Sequence, residues 1–226
     1  AINALLGRIA HSVQAQREFS GNVAHELRTP LAGIRALADY GLRQSDPQVW
    51  REQLQGIAQS QERASHLVDQ LLALALADEA QHTLEQTPVA IDALVGEAVL
   101  RFLPRADAAG VDLGARGIEQ PVWAFANAAL IEGVLNNLLD NALRHAPRGG
   151  VVTVCCGQDG QAAWLCVEDN GPGIPEGERE RIGQRFYRPA GQTGDGCGLG
   201  LAIVREIARQ YRGTLSVGTS PRLGGA

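Results

Sequence analysis

Lysine is missing from this chain: all 20 basic residues are arginine, and methionine is missing as well. Without lysine there is no Schiff-base chemistry and no P-loop lysine, which removes several large enzyme classes. Aromatic residues are scarce at 4%, and no apolar run approaches the roughly 20 residues that cross a bilayer. No signal-peptide pattern opens the sequence, so the stretch as given reads as soluble. Positive charge is in deficit too. A net charge of -5, with the arginines scattered, excludes the basic surface a nucleic-acid partner would need. The four cysteines, Cys155, Cys156, Cys166 and Cys197, fit neither paired zinc-site spacing nor a disulfide framework. They read as small buried residues in a reducing compartment.

What remains is the composition of a folded protein, 226 residues with 45% hydrophobic and 20% charged. The pattern starts mid-helix, with Ile2, Leu5, Leu6 and Ile9 and no initiating Met, and so reads as a piece of a longer chain. From residue 1 to about 81 apolar residues recur at helical spacing, broken only at Ser45-Asp46-Pro47, which predicts a helical hairpin. Trp50, Leu54, Ile57, Gln61, Ala64, Val68, Leu71 and Ala75 form a coiled-coil seam in the second arm, and Leu27, Leu31, Ile34 and Ala38 form one in the first. Leu67, Leu72 and Leu74 widen the second arm beyond what one partner helix covers, which predicts two hairpins pairing into a four-helix bundle. From about Thr83 the pattern turns to short strands between helices. Strands are expected at Val151–Cys156 and Ala163–Val167 around a Gln158-Asp159-Gly160 turn, with helices near Ile91–Ala108, Ala126–Ala146 and Leu199–Tyr211. The fold class is therefore α plus α/β: a dimerising hairpin over residues 1–82, then an α/β sandwich over 83–226.

Four constellations carry chemistry. In FSGNVAHELRTP (19–30), His25 adjoins Glu26, and Thr29 lies one turn on along the same helix face. An imidazole can act as nucleophile through one nitrogen while a carboxylate accepts the proton on the other. Pro30 removes the donor for the Glu26 carbonyl and is expected to bend the helix there. In the helix around residue 137, Asn137, Asn141 and Arg144 follow a line apart from the apolar stripe of Ile131, Val134, Leu135, Leu138 and Ala142. Two amide oxygens in line suit a hydrated Mg²⁺ that bridges nucleotide phosphates, and Arg144 suits a phosphate oxygen. Asp169, past a strand and before Gly171-Pro172-Gly173, can accept from the exocyclic amine of an adenine. Gly194–Gly200 opens a helix and exposes backbone N–H groups to a polyphosphate. Between these glycine clusters lies a long connection holding Arg185-Phe186-Tyr187-Arg188, expected to be a mobile lid. His145 is placed beside the nucleotide, whereas His11, His66 and His82 have no partners at ligand spacing.

In this order the motifs resemble the transmitter core of bacterial two-component sensor histidine kinases, over nearly the whole chain. HELRTP is similar to that family's H box, NLLDNA to its N box, DNGPGI to its G1 box, RFYR to its F box and GCGLGLAIV to its G2 box. The resemblance implies ATP-dependent phosphorylation of His25, Glu26 as assisting base, and Thr29 as the residue that positions water for dephosphorylating a partner. It implies ATP and Mg²⁺ as cofactors. Asn137 and Asn141 would hold the metal, with Arg144, His145, Asp169, Gly171, Gly173, Arg185, Phe186, Gly196, Gly198, Leu199 and Gly200 around the nucleotide. It further implies a homodimer, a response-regulator receiver domain as partner, and a cytoplasmic location in a protein anchored in the inner membrane.

Three departures stand out: Gln184 where the F box usually has Glu, Arg144-His145 where the N box is usually followed by Lys-Tyr, and an end at Gly224-Gly225-Ala226 where a last strand would follow. The first two partly keep charge or ring shape, and the third would leave the sheet edge incomplete. One rival is an ATPase of the gyrase and MutL group, which shares the Asn and Gly motifs. Those enzymes place a water-activating Glu four residues before the Mg²⁺ Asn, a position occupied here by Asn137, which cannot act as a base. A non-catalytic dimerisation scaffold is a second rival; the intact His25, Asn141, Asp169 and Gly198 argue against it.

Overall fold

A computed structural model of the chain describes residues 2–83, 86–160, 162–189 and 197–225. It opens with two long helices, α1 (Ile2–Gly41) and α2 (Pro47–Thr83), joined at the predicted Ser45-Asp46-Pro47 break. Asp46 caps α2, its Oδ1 accepting from Gln48 N at 2.8 Å. The Trp50 indole N–H reaches back to the carbonyls of Gly41 and Gln44, both at 2.9 Å, and satisfies acceptors that the end of α1 leaves open. Pro30 lies inside α1, and the helix continues through it.

The heptad seam is covered in part: Leu27, Ile34, Ala38, Ile57, Ala64 and Leu71 are half-buried. The arms approach through Gly33, Leu37 and Gly41 on α1 and Gln53, Gly56 and Ser60 on α2; a Cβ on Gly56 would sit 3.0 Å from the Leu37 Cδ1. Of the residues assigned to the seam, Leu31, Trp50, Leu54 and Val68 are exposed, with Leu54 at 64%. Leu67 and Leu74 are buried, whereas Leu72 is exposed. The helices carry a small-residue face that lets the arms come close and a separate leucine-rich face turned outward. Periodicity shows that both faces exist and not which of them meets the other arm.

The chain divides into two compact units at Leu71/Leu72, inside the continuous helix α2. The pattern change at 82/83 marks instead where the helix ends, and β1 (Thr87–Ala90) begins just after it. There follow α3 (Ile91–Ala109), β2 (Asp112–Arg116), β3 (Trp123–Ala126), α4 (Ala128–His145), β4 (Val151–Asp159), β5 (Ala162–Asp169) and α5 (Gly200–Gln210). β2 runs parallel to β4, β4 runs antiparallel to β5, and β1 and β3 form a separate antiparallel pair. Val95, Ala98 and Phe102 of α3 and Leu135, Leu139 and Ala142 of α4 cover Val152, Val154 and Cys156 on one face of β4. Helices packed on a sheet are the α/β layering expected of this half.

Strands β4 and β5 reach further than their apolar runs, because Gln158 and Asp159 stay in the ladder opposite Ala163 and Ala162. Cys155 and Cys156 are buried as expected. Cys166 is exposed and Cys197 half-buried, contrary to expectation; Cys166 stands on β5, which has no further strand on its other side among the described residues.

Candidate functional site

On the hairpin, His25 and Thr29 are both exposed and Glu26 is half-buried. The Thr29 hydroxyl donates to the His25 carbonyl at 3.4 Å, one turn back along α1, so the imidazole and the hydroxyl share a solvent-facing strip of helix. The arrangement offers an exposed nucleophile and hydroxyl with a half-buried carboxylate adjacent in sequence.

In the second unit the site is built around α4. Its first turn is capped by Asn127, whose Oδ1 accepts from Leu130 N at 3.3 Å. The Asn127 N–H donates to the Tyr211 hydroxyl at 2.9 Å. At the other side of α4 the Arg105 guanidinium of α3 meets the buried Asp140 carboxylate at 2.5 Å and lies 5.3 Å from the Phe102 ring centre. Arg101 donates to Asn136 Oδ1 at 2.8 Å. Helix α4 is thus held at its start and along its back, while Asn137 and Asn141 occupy a different line. Asn137 is buried and its Nδ2 donates to the Gly133 carbonyl at 2.8 Å; Asn141 is half-buried.

Asp169 closes β5 and is 6% exposed. Its Oδ1 accepts from Gly171 N at 2.7 Å. Asn170 holds the neighbouring backbone, Oδ1 accepting from Val151 N at 2.9 Å. Gly171 sits so close to the end of α4 that a Cβ there would lie 2.7 Å from the His145 carbonyl oxygen. That approach joins His145 to the Asp169 turn. Burial first, then the Arg144 guanidinium and Arg188, hold the His145 imidazole below its ordinary range, against the upward pull of Asp169. The ring is therefore neutral at neutral pH.

The segment after the 3₁₀ turn Glu176–Glu178 is packed rather than loose. Tyr187 donates to Glu178 Oε2, and Arg181 lies 4.3 Å from the Tyr187 ring centre. Phe186 adopts φ 62, and its N–H donates to the Gly198 carbonyl at 3.0 Å. Gly198 itself has φ 70 with the Tyr187 carbonyl where a Cβ would be, which makes glycine obligatory there. Leu199, fully buried, precedes Gly200, the first residue of α5. Gly173 also has positive φ. The lid expectation is thus corrected at its flanks, where Arg185–Arg188 is tied to Gly198; Gly194, Asp195 and Gly196 lie outside the described residues.

The structure brings His145, at the end of α4, beside Gly171 and the Asp169 turn and pairs Phe186 with Gly198; Asn137 and Asn141 lie further back along α4. Arg105–Asp140, Asn170–Val151 and Tyr211–Asn127 have no signature in the sequence pattern. Tyr211 and Asn127 are 84 positions apart, and no local spacing signals such a bond.

Comparison with known proteins gives the family of both units. Residues 15–80 match the His Kinase A (phospho-acceptor) domain, and residues 126–226 match the histidine kinase-, DNA gyrase B- and HSP90-like ATPase family. The sensor protein IrlS of Burkholderia pseudomallei is 37% identical over 99% of the chain and 48% of its own length. The chain thus spans about half the length of the curated relatives it matches. Among solved structures, the mycobacterial sensor histidine kinase MprB is 30% identical, with TM-score 0.53 over 60% of this chain and 89% of that one. The histidine kinase AdeS of Acinetobacter baumannii is 28% identical, with TM-score 0.59 over 82% and 86%. With an exposed histidine on a phosphoacceptor hairpin and a buried aspartate beside an asparagine-bearing helix on an ATPase fold, the chain belongs to the bacterial two-component sensor histidine kinases as a transmitter core.

Proposed function

We propose that the chain phosphorylates its own His25 from ATP and passes the phosphoryl group to an aspartate on a response-regulator receiver domain. The phosphoacceptor hairpin comprises residues 1–82 and the ATP-binding domain residues 83–226. One observation carries the nucleotide half: Asp169 is nearly enclosed, with one carboxylate oxygen fixed by Gly171 N. Its other oxygen is the one that would accept from an adenine amine. Arg144 supplies charge toward the phosphates, His145 closes the adenine end as a neutral ring, and the Gly198–Gly200 turn offers backbone N–H groups at the start of α5. Arg185, Phe186 and Gly173 complete the surround.

Asn137 and Asn141 are the residues that would hold Mg²⁺. Their donor set is neutral amide oxygen, suited to a hard ion that keeps most of its waters, and the Asn137 amide nitrogen is already engaged by Gly133. When bound, the ion would offset part of the triphosphate charge that the nucleophile meets. A His25 nitrogen attacks the γ-phosphorus, the bond to the β,γ-bridging oxygen breaks and ADP leaves, while Glu26 takes up the proton on the other ring nitrogen. Asn137 stands where related ATPases carry a water-activating Glu, and an amide cannot serve as a base, which favours transfer to histidine over hydrolysis. Thr29, exposed one turn from His25, positions water when the phosphorylated regulator is dephosphorylated. The outward stripe of Leu31, Leu54 and Val68 supports pairing of two hairpins into a four-helix homodimer. The whole protein is anchored in the inner membrane with this core in the cytoplasm, a reading supported by relatives named as sensor proteins.

Incubation with γ-labelled ATP and Mg²⁺ tests the reading. Acid-labile label in the parent and none in His25→Gln, with ATP binding retained, is the expected result. Label that persists in His25→Gln, or ATP bound without any labelling, overturns it.

A further inference from the structure

The face of the β2-β4-β5 sheet turned away from α3 and α4 carries a pair of thiols that the kinase reading does not use. Along β4, Val152, Val154 and Cys156 point into the core, so the alternate residues Thr153, Cys155 and Gly157 point to the opposite face. Their partners across the antiparallel ladder on β5 are Glu168, Cys166 and Trp164. Cys155 and Cys166 are thus directly opposite each other on one face. Directly opposed residues of such a ladder have Cα atoms about 4.5–5.5 Å apart. That lies inside the about 4.4–6.8 Å that a disulfide spans.

The surroundings separate the two sulfurs by role. Cys166 is exposed, whereas Cys155 is buried at 4%. On one side the Trp164 indole lies so tightly over Gly157 that a Cβ there would be displaced. On the other, Glu168 is held by Arg222 at 3.1 Å. Cys156, though adjacent in sequence, faces the other way and donates from its thiol to the Gly117 carbonyl at 3.4 Å.

We propose that Cys155 and Cys166 form a redox-active dithiol on the back of the ATP-binding unit, closing to a cross-strand disulfide when the protein meets a peroxide. The Cys166 thiolate attacks one peroxide oxygen; the O–O bond breaks, hydroxide leaves as water, and Cys166 becomes a sulfenic acid. The Cys155 sulfur then attacks the Cys166 sulfur, the S–S bond forms, the S–O bond breaks and a second water leaves. Two thiols lose two electrons and two protons, and the peroxide is reduced to water. Partial burial, then Glu168 and the neighbouring Cys155, push the Cys166 thiol up, so thiolate is scarce at neutral pH and closure accelerates as pH rises.

The test treats the whole chain with hydrogen peroxide at about pH 7 and about pH 9, spanning the thiol range. Free thiols are then alkylated, and the digest is mapped by mass spectrometry. The expected product is an intramolecular link between the peptides holding Cys155 and Cys166, formed faster at the higher pH and reversed by dithiothreitol. Cys166→Ser should abolish it, while Cys156→Ala and Cys197→Ser should leave it intact. Over-oxidised Cys166 with Cys155 still free, a Cys166 link between two copies, a link that moves to Cys156, or no oxidation at all would each overturn the proposal.

Discussion

Gly198→Ala isolates the geometry that joins the arginine-rich segment to the start of α5. The backbone at 198 has φ 70, and an L side chain held in that region costs about 1–2 kcal/mol. The added Cβ would also lie 2.6 Å from the Tyr187 carbonyl oxygen and 2.9 Å from the Phe186 carbonyl carbon. These are backbone atoms, and they cannot rotate aside. Phe186 is itself at φ 62 and bound through its N–H to the Gly198 carbonyl, so relief requires the whole Phe186–Tyr187 turn to shift. A combined penalty of about 2–4 kcal/mol follows. If the turn moves, the penalty appears as weaker ATP binding, about 10-fold for each 1.4 kcal/mol expressed at the site. If the turn holds, it appears as a lower Tm, about 2–4 °C per kcal/mol for a protein of this size. Calorimetric ATP titration with a thermal melt reads both. Gly177→Ala is the control, since nothing lies within 4 Å of its added Cβ and its backbone is ordinary. Gly198→Ala with ATP affinity and Tm both matching Gly177→Ala would refute the reasoning.

Three further perturbations test other parts of the site. Asp169→Asn keeps an acceptor for Gly171 N but turns an NH₂ toward the adenine amine, so ATP affinity should fall by about 10–100-fold with Tm nearly unchanged; equal affinity by calorimetry would remove Asp169 from the adenine site. His145 has a lowered pKa in the fold, so between that value and its unfolded value of about 6.5 the unfolded chain binds more protons, and stability falls as pH drops through this window. Urea midpoints taken on either side of about pH 6.5 should show this loss in the parent and less of it in His145→Gln; identical pH profiles would contradict the assignment. Arg105→Ala removes the ion pair to the buried Asp140 carboxylate and should destabilise by about 1–3 kcal/mol. A double-mutant cycle with Asp140→Ala should show coupling above about 0.5 kcal/mol, and strict additivity would mean that the pair does not brace α4.

Much of the site was legible because it is local. Asn137 and Asn141 are one turn apart on a helix whose apolar stripe is unmistakable, and Asp169 ends a strand just where a glycine must follow. His25 and Thr29 share a face for the same reason. The bracing was not legible, since Arg105 reaches Asp140 and Tyr211 reaches Asn127 only after the layers have packed. The β1–β3 pair escaped notice as well. Its strands are four residues each, with a proline in one and two alanines in the other, too short to show an alternation.

The hairpin shows a different limit. A helix in a four-helix bundle has two apolar neighbours, and its pattern is the sum of two stripes, of which periodicity reports the wider. Here Leu31 and Leu54 face outward, while Gly33, Gly41, Gly56 and Ser60, residues that score as neutral, let the arms meet beside Leu37 and Gln53. Small residues bring the arms of one chain close, and the leucines stay open at Leu31 and Leu54. Within one chain the arms are tethered by a short turn and can close on little apolar area. Two separate chains meet without that tether, so the interface between them needs the larger hydrophobic surface.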